Sequence, residues 1–508
     1  MVDPNPQGRS IQLDDELRNS NAVIQLDELR NAVLILSLNN NSSSSSSTMN
    51  ALEYCQRIKQ DPMGWKTCLL LLSNYGSANG ATHAGSHHPT HAGTHAAPHS
   101  CDSPSVHEKF FCFQVIEQVL KSGNYLVLNM QEKLEIKSKI WSWIKNLVSG
   151  GSNPTSYPTS YPTSYPTNQS GQTATANQAA DPAYLRTKLY LILVLLFKNE
   201  YPSQWPTFFD DFFTLIESAP PACRTLSLEA FLQTCIIIDE EVIVGDKNQA
   251  QLEQANLIKD TMRDSVIPRL VSSWLSIFSN FYKSESVDLA LLTLKLVGVY
   301  VAWIDISLIV TPDFMGRLYE SLSNVGIQSE AVECLGCILS KGMRPMDKAL
   351  LIQSINVVPF LSTLTIPTRG EQHVEFQESV AKVVNVIGLE LCQCLMNEDA
   401  ALLNESQKQV IQTLIDNVVP LALQYLSHEY DDVSCQVFPF ITQYLVLLKR
   451  IKKGHGSFHS ERVPTLLQVL ALKMKYDAEF EYGSKDSTLD EEEALFIKMR
   501  KVFLSMLC

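Results

Sequence analysis

The sequence predicts an all-α fold, an α-α superhelix of stacked helical hairpins interrupted by low-complexity insertions. Three observations predict it. Apolar residues recur at three- and four-residue spacing, the period of a helix with one buried face, over most of the chain. Long segments of strictly alternating polarity, which strands would need, are absent. Helix pairs follow one another at roughly 40-residue intervals, and turn signals such as "SKGMRP" and "IKKGHGSFHS" close individual helices. A chain of 508 residues, 45% hydrophobic, exceeds one ordinary domain and can bury a large core. The period is that of HEAT or armadillo repeats, so a HEAT-repeat solenoid of about eight to ten hairpins without a β-sheet is expected.

In chain order, residues 1–50 form a divergent N-terminal segment. "LDDELRNSNAV" at Leu13–Val23 nearly recurs as "LDELRNAV" at Leu26–Val33, and "NNNSSSSSST" at Asn39–Thr48 is low in complexity. Residues 51–148 read as the first repeats, with a His-rich insertion (78–105) that holds "THAGSHHPTHAGTHAAPH". Residues 149–180 form a Pro/Thr/Ser/Tyr linker around "PTSYPTSYPTSYPT". None of the three biased stretches can bury enough apolar surface to offset chain entropy, so all are expected to be disordered. Residues 181–508 read as one solenoid. Stripes run through Phe110–Leu120, Leu189–Leu196, Leu289–Val301, Ala331–Leu339, Val380–Leu391, Val410–Leu426 and Val437–Leu448.

One stretch stands out. "KNEYPSQWPTFFDDFF" (Lys198–Phe213) follows an apolar run that reads as a buried helix. Pro202 is expected to end that helix, and Pro206 to sit in the first turn of the next, where a missing N–H costs nothing. Trp205, Phe208, Phe209, Phe212 and Phe213 would then fill the wedge between hairpins. Asp210 and Asp211 fall where acidic groups complement the helix dipole.

The formal net charge is −14, so any nucleic-acid contact has to come from a local basic surface, and the bulk charge suits a basic protein partner better. The twelve Cys are scattered among apolar runs, as reduced buried thiols would be in a nuclear or cytosolic protein. The N-terminus lacks a signal-peptide pattern, and the apolar run Leu189–Phe197 is too short to span a bilayer, so a soluble chain is expected. No phosphate-binding glycine loop, zinc-protease helix or nucleophile elbow is present, so no catalytic residues and no cofactor are expected. Cys334 and Cys337 have metal-ligand spacing but no second pair, which favours packing on one helix face. The histidines from His83 to His99 are read as having only incidental metal affinity.

"LVLLFKNEYPSQWPTFFDDF" resembles the signature of nuclear export receptors of the importin-β (karyopherin) superfamily. "IKDTMRDSVIPRLVSSWLSIF" (Ile258–Phe278), "VGVYVAWIDISLI" (Val297–Ile309), "EAVECLGCILSKGMRPMDK" (Glu330–Lys348), "LLQVLALKMKYDAEFEY" (Leu466–Tyr482) and "EEEALFIKMRK" (Glu491–Lys501) narrow it to the exportin-T family. The resemblance covers about residues 181–508 well and Ala51–Leu147 more weakly. It implies a chain that carries tRNA out of the nucleus with GTP-bound Ran, releases it in the cytoplasm on GTP hydrolysis, touches nuclear pore proteins transiently and works as a monomer without membrane insertion. It also implies that "RKVFLSMLC" falls near the family's midpoint, which would leave part of the tRNA and Ran surfaces outside this sequence. The bland alternative is an α-solenoid scaffold for protein partners without RNA cargo.

On that resemblance, Lys198, Glu200, Asp210 and Asp211 are the candidate Ran contacts. Asp210 and Asp211 have a second reading as plain helix N-terminal acids. For tRNA, Lys and Arg on a concave wall are needed to follow A-form backbone. The clusters available are Lys133, Lys137, Lys139 and Lys145; Lys259, Arg263 and Arg269; Lys341, Arg344 and Lys348; and Lys449, Arg450, Lys452 and Lys453. Lys259, Arg263, Lys449, Arg450, Lys452 and Lys453 are the candidate tRNA contacts. A solvated structural face is the competing reading for each cluster.

Overall fold

The computed structural model describes residues 20–38, 46–73, 104–149, 181–244, 248–364, 371–453 and 462–475, together with four isolated positions near the C-terminus. Among the described residues there is no strand. The chain divides into two compact units, Met1–Val266 and Ile267–Cys508.

The first unit contains α1 (Ser20–Leu38), α2 (Ser46–Gln60), α3 (Gly64–Leu71), α4 (Val106–Lys121), α5 (Asn124–Val127), α6 (Met130–Val148), α7 (Ala183–Glu200), α8 (Phe208–Ser218), α9 (Arg224–Ile238) and α10 (Gln249–Ser265). Helices α4, α7 and α9 pack side by side in succession, flanked by α6 and α8. Helix α7 is buried almost all round: Leu189, Ile192, Leu193 and Leu196, predicted as a stripe, are joined by Leu185, Tyr190, Val194 and Phe197, all fully covered. A helix between two neighbours in its row and a third element beneath it has no solvent face left. Helix ends are set by local chemistry. Ser105 with Glu108, Asn129 with Glu132 and Asn248 with Gln251 form reciprocal capping boxes that satisfy orphan N–H groups. A π-helical turn, Asp239–Val244, extends α9.

The second unit contains α11 (Ile267–Phe281), α12 (Asp288–Tyr300), α13 (Pro312–Ser321), α14 (Gln328–Ser340), α15 (Pro345–Ser354), α16 (Val357–Thr363), α17 (Glu371–Met396), α18 (Glu405–Leu426), α19 (Asp431–Ser434), α20 (Phe438–Lys453) and α21 (Val463–Lys473). Helices α12, α14, α17 and α20 form one row, and α11, α13, α15 and α18 each pack against it. This two-layer stacking of hairpins is the predicted HEAT-type arrangement. The long α17 meets α14, α15, α18 and α20. Its stretch His373–Met396 is long and apolar enough to cross a membrane by length and composition, a span the sequence reading passed over. Here its partners are helices of its own unit, and Val380, Val384, Ile387 and Leu391 are fully buried. Gly388 allows α20 to approach α17: a Cβ there would fall 2.3 Å from the Phe440 ring. Asn385, one turn earlier, accepts the Phe440 N–H at 2.8 Å and so satisfies an orphan donor of α20.

Two expectations are corrected. Ser46–Thr48, read as disordered, open α2, whose buried Ala51 and Cys55 hold it in the unit. Ser105, assigned to the His-rich insertion, is the N-cap of α4. The rest of that insertion lies outside the described residues apart from Pro104, and the Pro/Thr/Ser/Tyr linker does so apart from Ser149.

Candidate functional site: the aromatic corner and the basic side chains

The α7–α8 corner is built as its aromatics suggest, with one change of register. Helix α7 ends at Glu200 and the chain turns through Tyr201–Pro202, but α8 begins only at Phe208 with Thr207 as N-cap. Pro206 therefore lies ahead of the cap, not in the first turn. The segment Trp205–Thr207 is a separate turn, closed by the Phe208 N–H on the Trp205 carbonyl at 3.3 Å. The wedge is fully aromatic. Phe197 stacks on Tyr201 at 4.7 Å between centroids and meets Phe208 at 4.7 Å. Trp141 of α6 lies edge-on to Trp205 at 5.5 Å and to Phe212 at 5.8 Å. Trp205 is 4% exposed, so it is a packing residue.

The four candidate partner contacts of the corner fall in different environments. Glu200 is 5% exposed. Its Oε1 accepts from the Tyr125 hydroxyl, and its Oε2 lies 2.7 Å from Lys137 Nζ. Burial first, then the hydrogen bond to Glu200 and its charge, push the Tyr125 phenol well above its ordinary value. Lys137 also donates to the Gln204 carbonyl at 3.1 Å and sits 4.4 Å from the Trp205 ring centroid. Asp211 Oδ2 accepts from the Trp205 indole at 2.7 Å and from Thr207 Oγ1 at 3.1 Å. Lys198, half-buried, donates to the Glu241 carbonyl of the π-helical turn at 3.1 Å. Only Asp210 of the four is exposed. Both acids lie in the first turn of α8, as expected.

The basic clusters also separate. Lys137 belongs to the corner, and Lys133 donates to the Leu126 carbonyl at 3.1 Å. Lys341 donates to the Val301 and Ile304 carbonyls, both at 2.8 Å, and so closes the C-terminal end of α12. Lys348 is 1% exposed and lies 2.7 Å from Glu390 Oε2 of α17. Reading Lys341 and Lys348 as parts of a solvent-facing cluster is therefore corrected: one caps a helix, the other is a core ion pair. On α10, Lys259 is half-buried and Arg263 is exposed, 2.8 Å from Asp260. On α20, Lys449 and Arg450 are exposed, and Arg450 donates to the Met396 carbonyl at 3.1 Å. Lys452 and Lys453 continue that helix, and their side chains lie outside the described residues. Cys334 is buried and Cys337 exposed, so one sulfur of the CxxC lies in the core and the other at the surface. Tyr125, Lys137 and Trp141 were missed as parts of the corner, because nothing local in the sequence ties α5 and α6 to Glu200 and Trp205.

Known proteins resemble this chain along most of its length. The sequence model described as Exportin 1-like protein matches residues 182–335, and the one described as Exportin-T matches residues 405–507. A mouse (Mus musculus) protein named Exportin-T is 28% identical over 473 residues, which is 92% of this chain and 42% of the relative. A zebrafish (Danio rerio) Exportin-T is 30% identical over 78% of this chain and 37% of the relative. A Candida albicans Exportin-T is 33% identical over 64% of this chain and 32% of the relative. The chain thus spans about two fifths, or less, of the length of these curated relatives. Two family models in order along one helical chain, with relatives in animals and a yeast, agree with the resemblance carried by the sequence blocks: over most of its length the chain is similar to exportin-T proteins.

Proposed function

We propose that this chain is part of a nuclear export receptor for tRNA, which binds tRNA together with GTP-bound Ran in the nucleus and releases it in the cytoplasm on GTP hydrolysis. The observation that carries this reading is the 28% identity to mouse Exportin-T over 92% of the chain. In this reading the protein shuttles through the nuclear pore as a monomer, touches pore proteins transiently and needs no cofactor or catalytic group. Asp210 is the corner residue assigned to direct contact with Ran. Glu200 and Asp211 act by holding the corner's shape, and Lys198 by anchoring the π-helical turn. Lys259, Arg263, Lys449, Arg450, Lys452 and Lys453 are assigned to the tRNA backbone.

The two ligands are expected to bind cooperatively. A stack of hairpins held at one curvature by Ran presents its basic residues to a rigid RNA, and by linkage each ligand raises affinity for the other. The test is tRNA affinity across a salt series with and without GTP-locked Ran, on this chain and on a full-length relative. Neutralising Lys449, Arg450, Lys452 and Lys453 together should weaken tRNA binding and flatten its salt dependence, since fewer counterions are released. Ran binding without tRNA should change much less. Equal tRNA affinity with and without Ran for the full-length relative would leave the scaffold reading standing.

A further inference from the structure

The buried charge at the end of α7 reaches further than the packing of the corner. Gly123, with φ +76°, turns the chain out of α4, and in the α5 that follows Tyr125 is 2% exposed while its neighbours Leu126 and Val127 face solvent. The Tyr125 hydroxyl donates to Glu200 Oε1, and Lys137 Nζ lies 2.7 Å from Oε2. Lys137 also donates to the Gln204 carbonyl at 3.1 Å, and the Glu200 carbonyl accepts from the Gln204 and Trp205 N–H groups at 2.7 and 3.1 Å. The Trp205 indole in turn donates to Asp211 Oδ2 at 2.7 Å. Asp210, the residue before it, is exposed in the same first turn of α8. We infer that Tyr125 and Lys137 are positioning residues for partner binding: through Glu200, Trp205 and Asp211 they fix the place of Asp210. This rests on the assignment of Asp210 to Ran.

Stability alone does not account for this relay. A buried ion pair adds little net stability over apolar residues of similar volume, because both charges give up water. What it supplies is a fixed geometry, since a buried polar network is satisfied in few arrangements. Helix α8 needs that. Helices α4, α6 and α10 each begin with a capping box, whereas Thr207 makes no side-chain cap for α8. The start of α8 is held instead by Asp211, which accepts from the Trp205 indole and the Thr207 hydroxyl and donates its N–H to the Thr207 carbonyl at 2.8 Å.

The links come from four successive helices: Tyr125 from α5, Lys137 from α6, Glu200 from α7 and Asp211 from α8. Helix α6 grips the Trp205 ring twice, with the Lys137 ammonium 4.4 Å from its centroid and the Trp141 ring edge-on at 5.5 Å. A shift of α6 therefore moves the indole, the Asp211 carboxylate and the turn that carries Asp210. An exposed carboxylate held in place before binding loses less freedom when a partner arrives, and the difference appears as affinity.

The experiment uses the whole chain as wild type, Tyr125→Phe and Lys137→Met, each with Asp210 present and with Asp210→Asn. GTP-locked Ran is titrated against every form, and amide exchange of a peptide spanning the first turns of α8 is followed without Ran. Where Asp210 is present, Tyr125→Phe and Lys137→Met should each weaken Ran binding roughly three- to tenfold. In Asp210→Asn they should have almost no further effect, because the group they position is gone. Exchange in α8 should quicken in Tyr125→Phe, although that residue lies on α5. Equal weakening with and without Asp210 would make the relay a plain stability element and overturn the proposal. Unchanged α8 exchange in both variants would overturn it too, whether or not Ran binds. Ran affinity indifferent to Asp210→Asn would remove Asp210 from the interface and the proposal with it. A wild type that does not bind Ran would sink the export-receptor reading, and quickened α8 exchange would then leave the link from α5 to α8 standing without that partner.

Discussion

Lys137 and Glu200 are 2.7 Å apart, and the same ammonium lies 4.4 Å from the Trp205 ring centroid. One side chain of α6 therefore neutralises the buried end of α7 and covers the aromatic turn that follows it. Breaking such a pair from one side costs more than removing both partners, because a lone buried charge remains. Lys137→Met is expected to cost about 2–4 kcal/mol, and Lys137→Met/Glu200→Gln less than the sum of the singles. Denaturant unfolding of the four forms of the cycle measures this, and strict additivity would show that the pair is not coupled.

Trp205→Ala removes a side chain that touches Trp141 and Phe208 and donates to Asp211. A loss of roughly 3–5 kcal/mol is expected, and it should appear first in α6, α7 and α8, since repeats lean mainly on their neighbours. Trp205→Phe keeps an aromatic ring and loses the indole donor, so about 1–2 kcal/mol is expected. Hydrogen exchange resolved by helix reads both effects. Unchanged protection in α6–α8 for the alanine variant would mean that the corner does not carry the local stability.

In the second unit, Gly388→Ala places a methyl group 2.3 Å from the Phe440 ring position, so α17 and α20 must separate. Overpacking of this kind costs about 1–3 kcal/mol. Phe440→Leu in the same chain should recover part of the loss. A thermal melt of the single and double variants tests the pairing, and equal melting temperatures for wild type and Gly388→Ala would refute the close approach.

Glu117 sets an acid limit on the α4–α7 contact. Its burial opposes ionisation, but the Lys188 and Lys121 ammonium groups outweigh that and hold the carboxyl below its usual value. A carboxyl depressed in the folded state stabilises it above the unfolded-state value, and that contribution is lost as pH falls through the lower folded value. Protection of α4 and α7 amides should therefore drop as pH is lowered below the ordinary glutamate range. Glu117→Gln should flatten that part of the profile, and an unaltered profile in the variant would assign the acid sensitivity elsewhere.

Much of this protein is determined by its sequence alone. The helical period of α4, α14, α17 and α18, the acid pair in the first turn of α8 and the burial of Trp205 and its neighbouring phenylalanines are local or near-local properties. Apolar spacing decides which face of a helix leaves water, and capping residues such as Asn404 with Gln407 decide where a helix begins. The blocks that resemble exportin-T are legible for the same reason, as contiguous strings. What the tertiary structure alone decided is the fate of the charges. Nothing in the string around Lys348 tells that its ammonium is buried beside Glu390, or that Lys341 caps α12 while Lys449 stays in water. Lys59, Lys121 and Lys188 are far apart in the chain and come to one cleft only because α2, α4 and α7 end or begin there. The physical reason is range. Helix formation answers to neighbours three and four residues away, whereas the worth of a charge depends on how much water and which opposite charge reach it. In a stack of hairpins, both are settled by the helix in the next repeat.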